Sequence, residues 1–196
     1  MGDSNHGTPW APILLRSVIA AAFGVLTIFW QDPDVLVLSI AGGLYLLLTG
    51  VAVWRTAALA GARGQARVRG LQLLEAVLYA VAGLAVLALR SVEAFCVAAG
   101  TALLVGGVVE LYLWATARRV FLPARDWLIT GAVSAGAAAI LVAVQIMDLG
   151  AHAMLGVSGG SAVIIAVMLA TSGLGARWDA RSGSRAAPAA AVREKP

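Results

Sequence analysis

Hydrophobic residues run through most of this chain in six long stretches that are separated by short polar breaks. The stretches cover residues 10–29, 35–54, 71–89, 94–115, 127–147 and 153–174. A helix needs about 20 mainly apolar residues to cross the hydrocarbon core of a bilayer, and each stretch has about that length. The pattern predicts an all-α bundle of six transmembrane helices within residues 10–176, with a short segment before it (1–9) and a basic tail after it (177–196).

The composition agrees with a membrane protein. Hydrophobic residues make up 61% of the 196 residues and charged residues only 12%, and the mean hydropathy is +0.90. Soluble domains carry roughly 25% charged residues. The net charge of +4 does not indicate nucleic-acid binding, because the basic residues lie at span ends and not in a patch with interleaved aromatics. We expect the lipid bilayer as the main partner, with anionic lipid heads at the arginines.

The charges also predict an orientation. Basic residues concentrate after spans two, four and six: Arg55, Arg63, Arg67, Arg69, Arg118, Arg119, Arg125, Arg177, Arg181, Arg185, Arg193 and Lys195. The connectors on the other side hold one basic residue, Arg90, beside several carboxylates. The positive-inside rule therefore predicts that both termini are cytoplasmic. The six tryptophans fall at or near span ends, where the membrane interface favours them: Trp10, Trp30, Trp54, Trp114, Trp127 and Trp178.

The two ends of the chain and the single cysteine lead to three further predictions. The first nine residues lack Lys and Arg, and the following apolar run is long for a signal peptide, so we expect the first span to be retained. The tail from Arg181 onward is rich in Ala, Ser, Pro and Arg, and we predict that it is disordered. The single cysteine, Cys96, has no partner at metal-ligand spacing, which favours a small core residue. No metal and no cofactor are expected.

Small residues recur at fixed positions and indicate three copies of one two-helix hairpin. Early in each first helix, Leu14-Leu15-Arg16 corresponds to Leu73-Leu74-Glu75 and Ile129-Thr130-Gly131. Eight positions later the three copies have the small residues Gly24, Gly83 and Ala139. The second helices keep small pairs seven positions apart: Gly43 and Gly50, Gly100 and Gly107, Gly159 and Ala166. Small residues two turns apart let backbones approach closely, so we predict a packing seam repeated around the bundle.

Several of these motifs resemble the HdeD-like family of small bacterial inner-membrane proteins. The matching elements are Arg16 with Phe23-Gly24, the turn Asp32-Pro33-Asp34, the segment from Gly43 to Gly50, Leu74-Glu75 with Ala82-Gly83, and Gly107-Val108-Val109-Glu110. The third copy departs most, because it lacks the early charge and the outward proline, and the second turn also lacks proline. The family is named for a member associated with acid resistance, so the resemblance implies a bacterial cytoplasmic-membrane protein of the stress response. It implies no molecular activity.

Three charged residues lie inside predicted spans: Arg16, Glu75 and Glu110. Charges at mid-membrane cost about 2.5–3.5 kcal/mol on insertion scales, so they are candidates for function. Repeat position and span direction place all three in the inner third of the bilayer. We expect Arg16 to pair with Glu75, Glu110 or both. Such a cluster could lock the helices, relay protons or ions, or consist of side chains that reach separately to the interface. A lock predicts that Arg16→Gln or Glu75→Gln destabilises more than Glu110→Gln.

Two weaker signals lie near the start of span six. His152 could respond to external acid, since the reference pKa of histidine is about 6.5, or it could be an ordinary interfacial residue. Gly156-Val157-Ser158-Gly159 resembles the nucleophile element of an intramembrane serine protease. Its catalytic base should be a histidine on another span, and His152 precedes it in the same segment. We predict no catalytic residue and interpret these small residues as a packing face.

Two function classes remain after these exclusions. The first is a non-enzymatic membrane protein of the acid-stress type that acts by packing, by forming a homo-oligomer or by contacting envelope proteins. The second is a small transporter or channel that uses the three intramembrane charges. Transport needs a polar path to the outer face, and the outer halves of the spans are almost wholly apolar, with only scattered polar residues such as Ser91, Gln145 and Ser158. The sequence therefore favours the first class.

Overall fold

The computed structural model describes residues 10–193, which form six long α-helices and no β-strand within that range. The helices are α1 (Trp10–Phe29), α2 (Val35–Ala62), α3 (Ala66–Leu89), α4 (Val92–Ala117), α5 (Trp127–Ile146) and α6 (Gly150–Arg193), with a 3₁₀ turn at Leu122–Arg125 before α5. All six are long and apolar enough to cross a membrane, which confirms the predicted fold class. Segment 1–9, predicted to be a short cytoplasmic N-terminus, lies outside the described residues.

Short polar signals start and stop these helices. The Asp34 carboxylate accepts a hydrogen bond from the Val37 amide at 2.7 Å and caps α2, and the Ser91 hydroxyl accepts one from the Ala94 amide at 3.0 Å and caps α4. Each cap satisfies a backbone donor that has no partner within the helix. Arg90 ends α3 in a left-handed conformation with φ of 49°. These turns on the carboxylate side are short, so successive helices reverse direction.

Three helices extend beyond the predicted spans at the end of the bundle that carries most of the arginines, opposite the carboxylate-bearing turns. α2 continues past Trp54 to Ala62, and α3 begins at Ala66 instead of residue 71. Arg55, Arg67 and Arg69 therefore lie on helices and not in a loop. α6 continues to Arg193, well past the predicted end of the sixth span at residue 174, and residues 194–196 lie outside the described range. Hydropathy locates the part of a helix that suits lipid, whereas alanine-rich segments such as residues 55–62 keep a high helix propensity beyond it.

The helices pack as three close pairs, and the pairs do not coincide with the hairpins. The most extensive contacts join α2 to α3, α4 to α5 and α6 to α1, whereas the two helices of each hairpin touch less. The even-numbered helices also contact one another, so they lie innermost. The second helix of each hairpin thus packs against the first helix of the next. Because α6 packs against α1, the three repeats close into a ring.

Glycines lie at the closest points of these three pairs. A Cβ atom on Gly83 would stand 2.7 Å from the Gly43 carbonyl oxygen, and one on Gly107 would stand 2.7 Å from the Gly131 carbonyl oxygen. In the third pair a Cβ on Gly159 would collide with Thr27. Contacts shorter than van der Waals distance exclude any side chain there. The predicted small-residue positions therefore lie on the helix pairs that close the ring.

Other predicted seam positions divide between close contact and open space. A Cβ on Gly24 would stand 2.5 Å from Val163 Cγ2, and one on Gly50 would stand 2.9 Å from the Ala76 carbonyl oxygen. Gly100 is the exception, since no atom lies within 4 Å of its Cβ position. It lines a groove of about 370 Å³ between the halves of α4 and α5 that lie away from the arginine-rich end. The repeat pattern marks Gly100 as a packing residue, but helices that meet at Gly107 diverge before they reach it.

A second, smaller core closes the arginine-rich end of the bundle. It contains Leu59, Ala60, Val68, Leu113, Ala117, Phe121, Ala124 and Trp127. Trp127 is 3% exposed, so its predicted place in an interfacial belt is wrong, because its indole packs against the Phe121 ring at a centroid distance of 5.6 Å. Trp30, Trp54 and Trp178 are exposed, as that prediction requires. The segment between α4 and α5 thus folds back into the protein.

A hydrogen bond joins this folded-back segment to α6. The Ser172 hydroxyl donates to the Asp126 carboxylate at 2.6 Å. Partial burial raises the pKa of Asp126, and the hydrogen bond from Ser172 and the charge of Arg125 oppose that rise. The hydroxyl therefore stabilises the ionised carboxylate at a site where water is scarce.

We expect Ser172→Ala to destabilise the protein at pH 7 and to do so less in acid. Loss of a hydrogen bond to a charged group costs about 1.5–3 kcal/mol. The remaining carboxylate has its pKa raised further, so protonation as the pH falls favours the folded state and the loss shrinks. The check is a thermal melt in detergent at pH 7 and pH 4. Thr171→Ala, on the exposed neighbouring hydroxyl, is the control, and an equal loss at both pH values would contradict the account.

Candidate functional site: a buried charge cluster

The structure brings Arg16, Glu75 and Glu110 together inside the bundle. They come from three different helices, α1, α3 and α4. Both glutamates are fully buried and Arg16 is 9% exposed. Arg16 and Glu75 lie in the first half of their helices and Glu110 lies in the second half of α4, so all three are nearer to the arginine-rich end. The repeat alignment places Arg16 and Glu75 at equivalent positions, and the third equivalent is Gly131, which carries no side chain.

The shortest contact in the cluster is an ion pair between Arg16 and Glu110. An Arg16 guanidinium nitrogen donates to Glu110 Oε1. The helices that carry these residues, α1 and α4, are not among the pairs that pack extensively, so the long arginine side chain bridges a gap between them. A charge-assisted bond in a dry interior is stronger than one in water. This contact links the first hairpin to the second across the inner helices.

Glu75 is held differently from Glu110. Its Oε2 atom accepts a hydrogen bond from the Gln72 side-chain amide at 2.8 Å. Gln72 is 1% exposed and lies one turn earlier on the same helix. Glu75 also interacts electrostatically with Arg16 and with Glu110. The carboxylate is thus a neighbour of the ion pair without being the main partner of the arginine.

Each carboxylate has one buried oxygen atom without a hydrogen-bond partner. These atoms are Glu75 Oε1 and Glu110 Oε2. The cluster therefore offers two acceptors that the described part of the protein does not fill. It also contains two carboxyl groups and one guanidinium, so full ionisation would leave one negative charge unpaired. Buried unpaired charge is costly, so a second carboxyl group beside a single arginine is an unusual feature of this apolar bundle.

Apolar side chains cover the charge cluster on the side that faces away from the arginine-rich end. The Phe23 ring, two turns from Arg16 on α1, stacks on the Tyr45 ring of α2 with centroids 4.3 Å apart. Beyond it lie buried residues from four helices: Leu38, Leu46, Phe95, Leu103, Leu141, Met154 and Leu155. A cavity of about 10 Å³ among Leu46, Phe95 and Leu103 is at the lower limit for one water molecule. The half of the bundle that lies away from the arginine-rich end thus contains no continuous aqueous path through these residues.

Three further residues border the charge cluster and were not predicted from the sequence: Gln72, Tyr79 and Gly106. Gln72 and Tyr79 share the face of α3 that carries Glu75, at spacings of three and four residues from it. Tyr79 is 1% exposed and interacts electrostatically with Glu75 and Arg16. A Cβ on Gly106 of α4 would stand 2.9 Å from the Tyr79 hydroxyl oxygen. A polar stripe with helical spacing inside an apolar span was the signal that could have identified Gln72 and Tyr79.

The other predicted positions lie apart from this cluster. His152 is exposed in the first turn of α6, and its response to acid stays a prediction. Ser158 is buried and donates to the Met154 carbonyl oxygen at 2.9 Å, so the hydroxyl is used within its own helix. Cys96 is buried, with its sulfur 3.6 Å from the Leu141 carbonyl oxygen. Among residues 10–193, no group of three His, Cys, Asp or Glu side chains could hold a metal ion.

Part of the chain is similar to a described family of proteins. No curated protein and no solved structure matches the chain. Residues 15–88 match the family described as a short repeat of unknown function, DUF308, a family of membrane proteins. The matched segment contains α2, almost all of α1 and α3, and two of the three charges, Arg16 and Glu75. Over these residues the chain is therefore similar to a repeat family of membrane proteins, in agreement with its six membrane-spanning helices.

Proposed function

We propose that this chain is a non-enzymatic, multi-pass protein of a bacterial cytoplasmic membrane, of the HdeD-like acid-stress type, with both termini in the cytoplasm. The resemblance in the sequence motifs and the match to a repeat family of membrane proteins support this proposal. The observation that carries the mechanistic part is the ion pair between Arg16 and Glu110. It joins helices that otherwise scarcely touch, in a ring that is closed by glycine contacts. The cluster acts as a lock that keeps the bundle intact.

A lock suits a membrane protein that must endure external acid. The ion pair lies near the arginine-rich end, which the proposed orientation places at the cytoplasmic side, away from an acidified exterior. The apolar outer core, with buried residues such as Leu38, Leu46 and Phe95, separates the carboxylates from that exterior. External protons therefore reach the ion pair slowly, and the bundle keeps its shape when the outside pH falls. In this role the protein acts by packing and has no substrate.

One observation favours a second candidate, a carrier of protons or small cations. The free oxygen atoms Glu75 Oε1 and Glu110 Oε2 lie beside a single arginine, and pairs of buried carboxylates of this kind occur in proton relays. In this alternative Glu75 is the carrier group, because Arg16 already pairs with Glu110. The apolar outer half argues against it unless the helices move or an oligomer supplies a path.

Growth at low external pH separates the two functions. A strain that lacks the gene would receive the wild type, Glu75→Gln or Glu110→Gln, with the amount of protein in the membrane measured by immunoblot. The lock predicts that Glu75→Gln restores growth, since the carbonyl oxygen of the new side chain can still accept from Gln72. It also predicts that Glu110→Gln fails because less folded protein accumulates. Proton leak out of acid-loaded vesicles should be equal for the wild type and Glu75→Gln.

The opposite result would support the carrier. In that case Glu75→Gln would be present at the normal level, would fail to restore growth, and would change the proton leak. A deletion strain that grows in acid as well as its parent would contradict the acid-stress role itself. Asp148→Asn, an acidic residue at the outer turn, serves as a control for any general effect of removing a carboxylate.

A further inference from the structure

An open groove runs between α1 and α2 at the arginine-rich end of the bundle. Its volume is about 670 Å³, which lies within the usual range of small-ligand sites. Trp10, Leu14, Leu15 and Val18 line it from α1, and Leu59 lines it from α2. The groove exists because α1 packs mainly on α6 and touches its hairpin partner α2 much less. It faces outward from the bundle, so in a membrane it opens to lipid.

The groove combines an apolar lining with positive charge. Among the described residues that line it, Arg55 is the charged one, and it is exposed. The Arg177 guanidinium lies 5.3 Å from the centre of the Trp10 ring, so a second arginine stands at the same rim. Within residues 10–193, no acidic side chain lines the groove. A ligand that fits must have an apolar chain and a negatively charged head.

A second groove with an apolar lining and an arginine lies at the next hairpin. A groove of about 400 Å³ lies between α3 and α4, lined by Arg67, Leu71, Val108, Val109 and Tyr112. Arg67 lies 5.1 Å from the centre of the Tyr112 ring, just as Arg177 lies over Trp10. Both grooves thus lie beside an arginine that stands over an aromatic ring, with the arginine on α6 at the first groove and on α3 at the second. The first groove has two arginines at its rim, Arg55 and Arg177, so it is the stronger candidate for an anionic ligand.

We propose that the groove between α1 and α2 is a binding site for one anionic phospholipid of the surrounding leaflet. One acyl chain lies along Leu14, Leu15 and Val18, and the phosphate accepts hydrogen bonds from Arg55. Arginine suits this role because its planar guanidinium can donate two parallel bonds to a phosphate. The site differs from diffuse attraction of anionic lipids to basic loops, because it fixes a chain and a head together.

Native mass spectrometry of the purified full-length protein tests the site. The probes are dioleoylphosphatidylglycerol and dioleoylphosphatidylcholine, which share acyl chains and differ in net charge. We expect the wild type to retain one molecule of the anionic lipid and to bind it about tenfold more tightly than the neutral one, because the choline of the neutral lipid adds a positive charge beside Arg55. Arg55→Gln should remove that preference. Because Arg55 is exposed, this change should leave the melting temperature unaltered.

Two further variants make the test decisive. Leu15→Trp fills the groove and should weaken retention of both lipids. Arg119→Gln, which removes an exposed arginine at the same end but outside the groove, should bind like the wild type. Unchanged preference in Arg55→Gln, or an equal loss in Arg119→Gln, would overturn the proposal in favour of diffuse attraction. A third outcome concerns the oligomeric state. If the wild type is a dimer, and Leu15→Trp makes it a monomer without changing lipid retention, the lipid proposal is wrong and a second copy of the chain occupies the groove. Acid-growth results leave each of these outcomes unaffected.

Discussion

Replacing Arg16 with glutamine is expected to be the most destabilising single change in the charge cluster, by about 3–5 kcal/mol. The reason is that both neighbouring carboxyl groups are fully buried and Arg16 is the cation in their immediate cluster. Without it, Glu110 loses its ion-pair partner and Glu75 and Glu110 repel each other. The measurement is unfolding in detergent micelles, followed by circular dichroism.

The other cluster variants should follow in a defined order. Glu110→Gln breaks the ion pair but leaves Arg16 near Glu75, so its loss should be smaller than that of Arg16→Gln. Glu75→Gln keeps the hydrogen bond from Gln72 and should cost about 1 kcal/mol or less. Glu110→Gln should therefore destabilise the protein more than Glu75→Gln. This is the reverse of the expectation from sequence, because the structure pairs Arg16 with Glu110.

A double-mutant cycle isolates the ion pair itself. If Arg16 and Glu110 act as a unit, the variant with both residues changed to glutamine should lose less stability than the sum of the single losses. Additive losses would show that the two side chains do not interact. Equal and negligible losses for all three single variants would remove the lock from the account.

Gly107→Ala, outside the charge cluster, is expected to cost about 1–3 kcal/mol through overpacking. The new methyl group would lie 2.7 Å from the Gly131 carbonyl oxygen and 2.9 Å from the Ala135 amide nitrogen. Both are backbone atoms, so α4 and α5 must move apart to relieve the contact. The measurement is the same detergent unfolding experiment.

Gly100→Ala is a matched control on the same helix. The two glycines are a repeat pair two turns apart, but nothing lies within 4 Å of the Gly100 Cβ position. Alanine is a better helix former than glycine by about 1 kcal/mol, so this variant should be as stable as the wild type or slightly more so. Equal losses in the two variants would contradict the close approach of α4 and α5 at Gly107.

The sequence predicted the six helices, their direction changes and the seam glycines because these features depend on local composition. A span in lipid needs about 20 apolar residues. Close contact between two helix backbones needs glycine or another small residue. Both requirements can be recognised in the sequence. The three intramembrane charges were also visible, because a charge in an apolar span stands out. Repeat position and helix direction indicated that Arg16, Glu75 and Glu110 lie at similar depth.

Pairing between helices could not be derived in the same way. The repeat marks hairpins, but the close pairs join neighbouring hairpins, and only the three-dimensional ring brings Arg16 on α1 to Glu110 on α4. Gly100 and Gly107 look equivalent in sequence and differ because helix axes diverge. Trp127 lies at a span end, yet a turn carries it into a core. Each difference arises from the crossing of helices, which local patterns do not specify.

Packing of α6 against α1 closes the ring of repeats, and the arrangement of the whole bundle depends on it. A cysteine pair at positions 14 and 173 tests it, since a Cβ on Gly173 would lie 2.6 Å from the Leu14 side chain. The background carries Cys96→Ala and a protease site inserted at Gly64, a turn residue with open space around it. We predict that Leu14→Cys with Gly173→Cys keeps the two cleavage fragments joined until a reductant is added. The control pair, Val18→Cys with Gly173→Cys, should release them, because Val18 is 65% exposed. Separation of the fragments in the first pair, in protein that is otherwise folded, would contradict the closed ring.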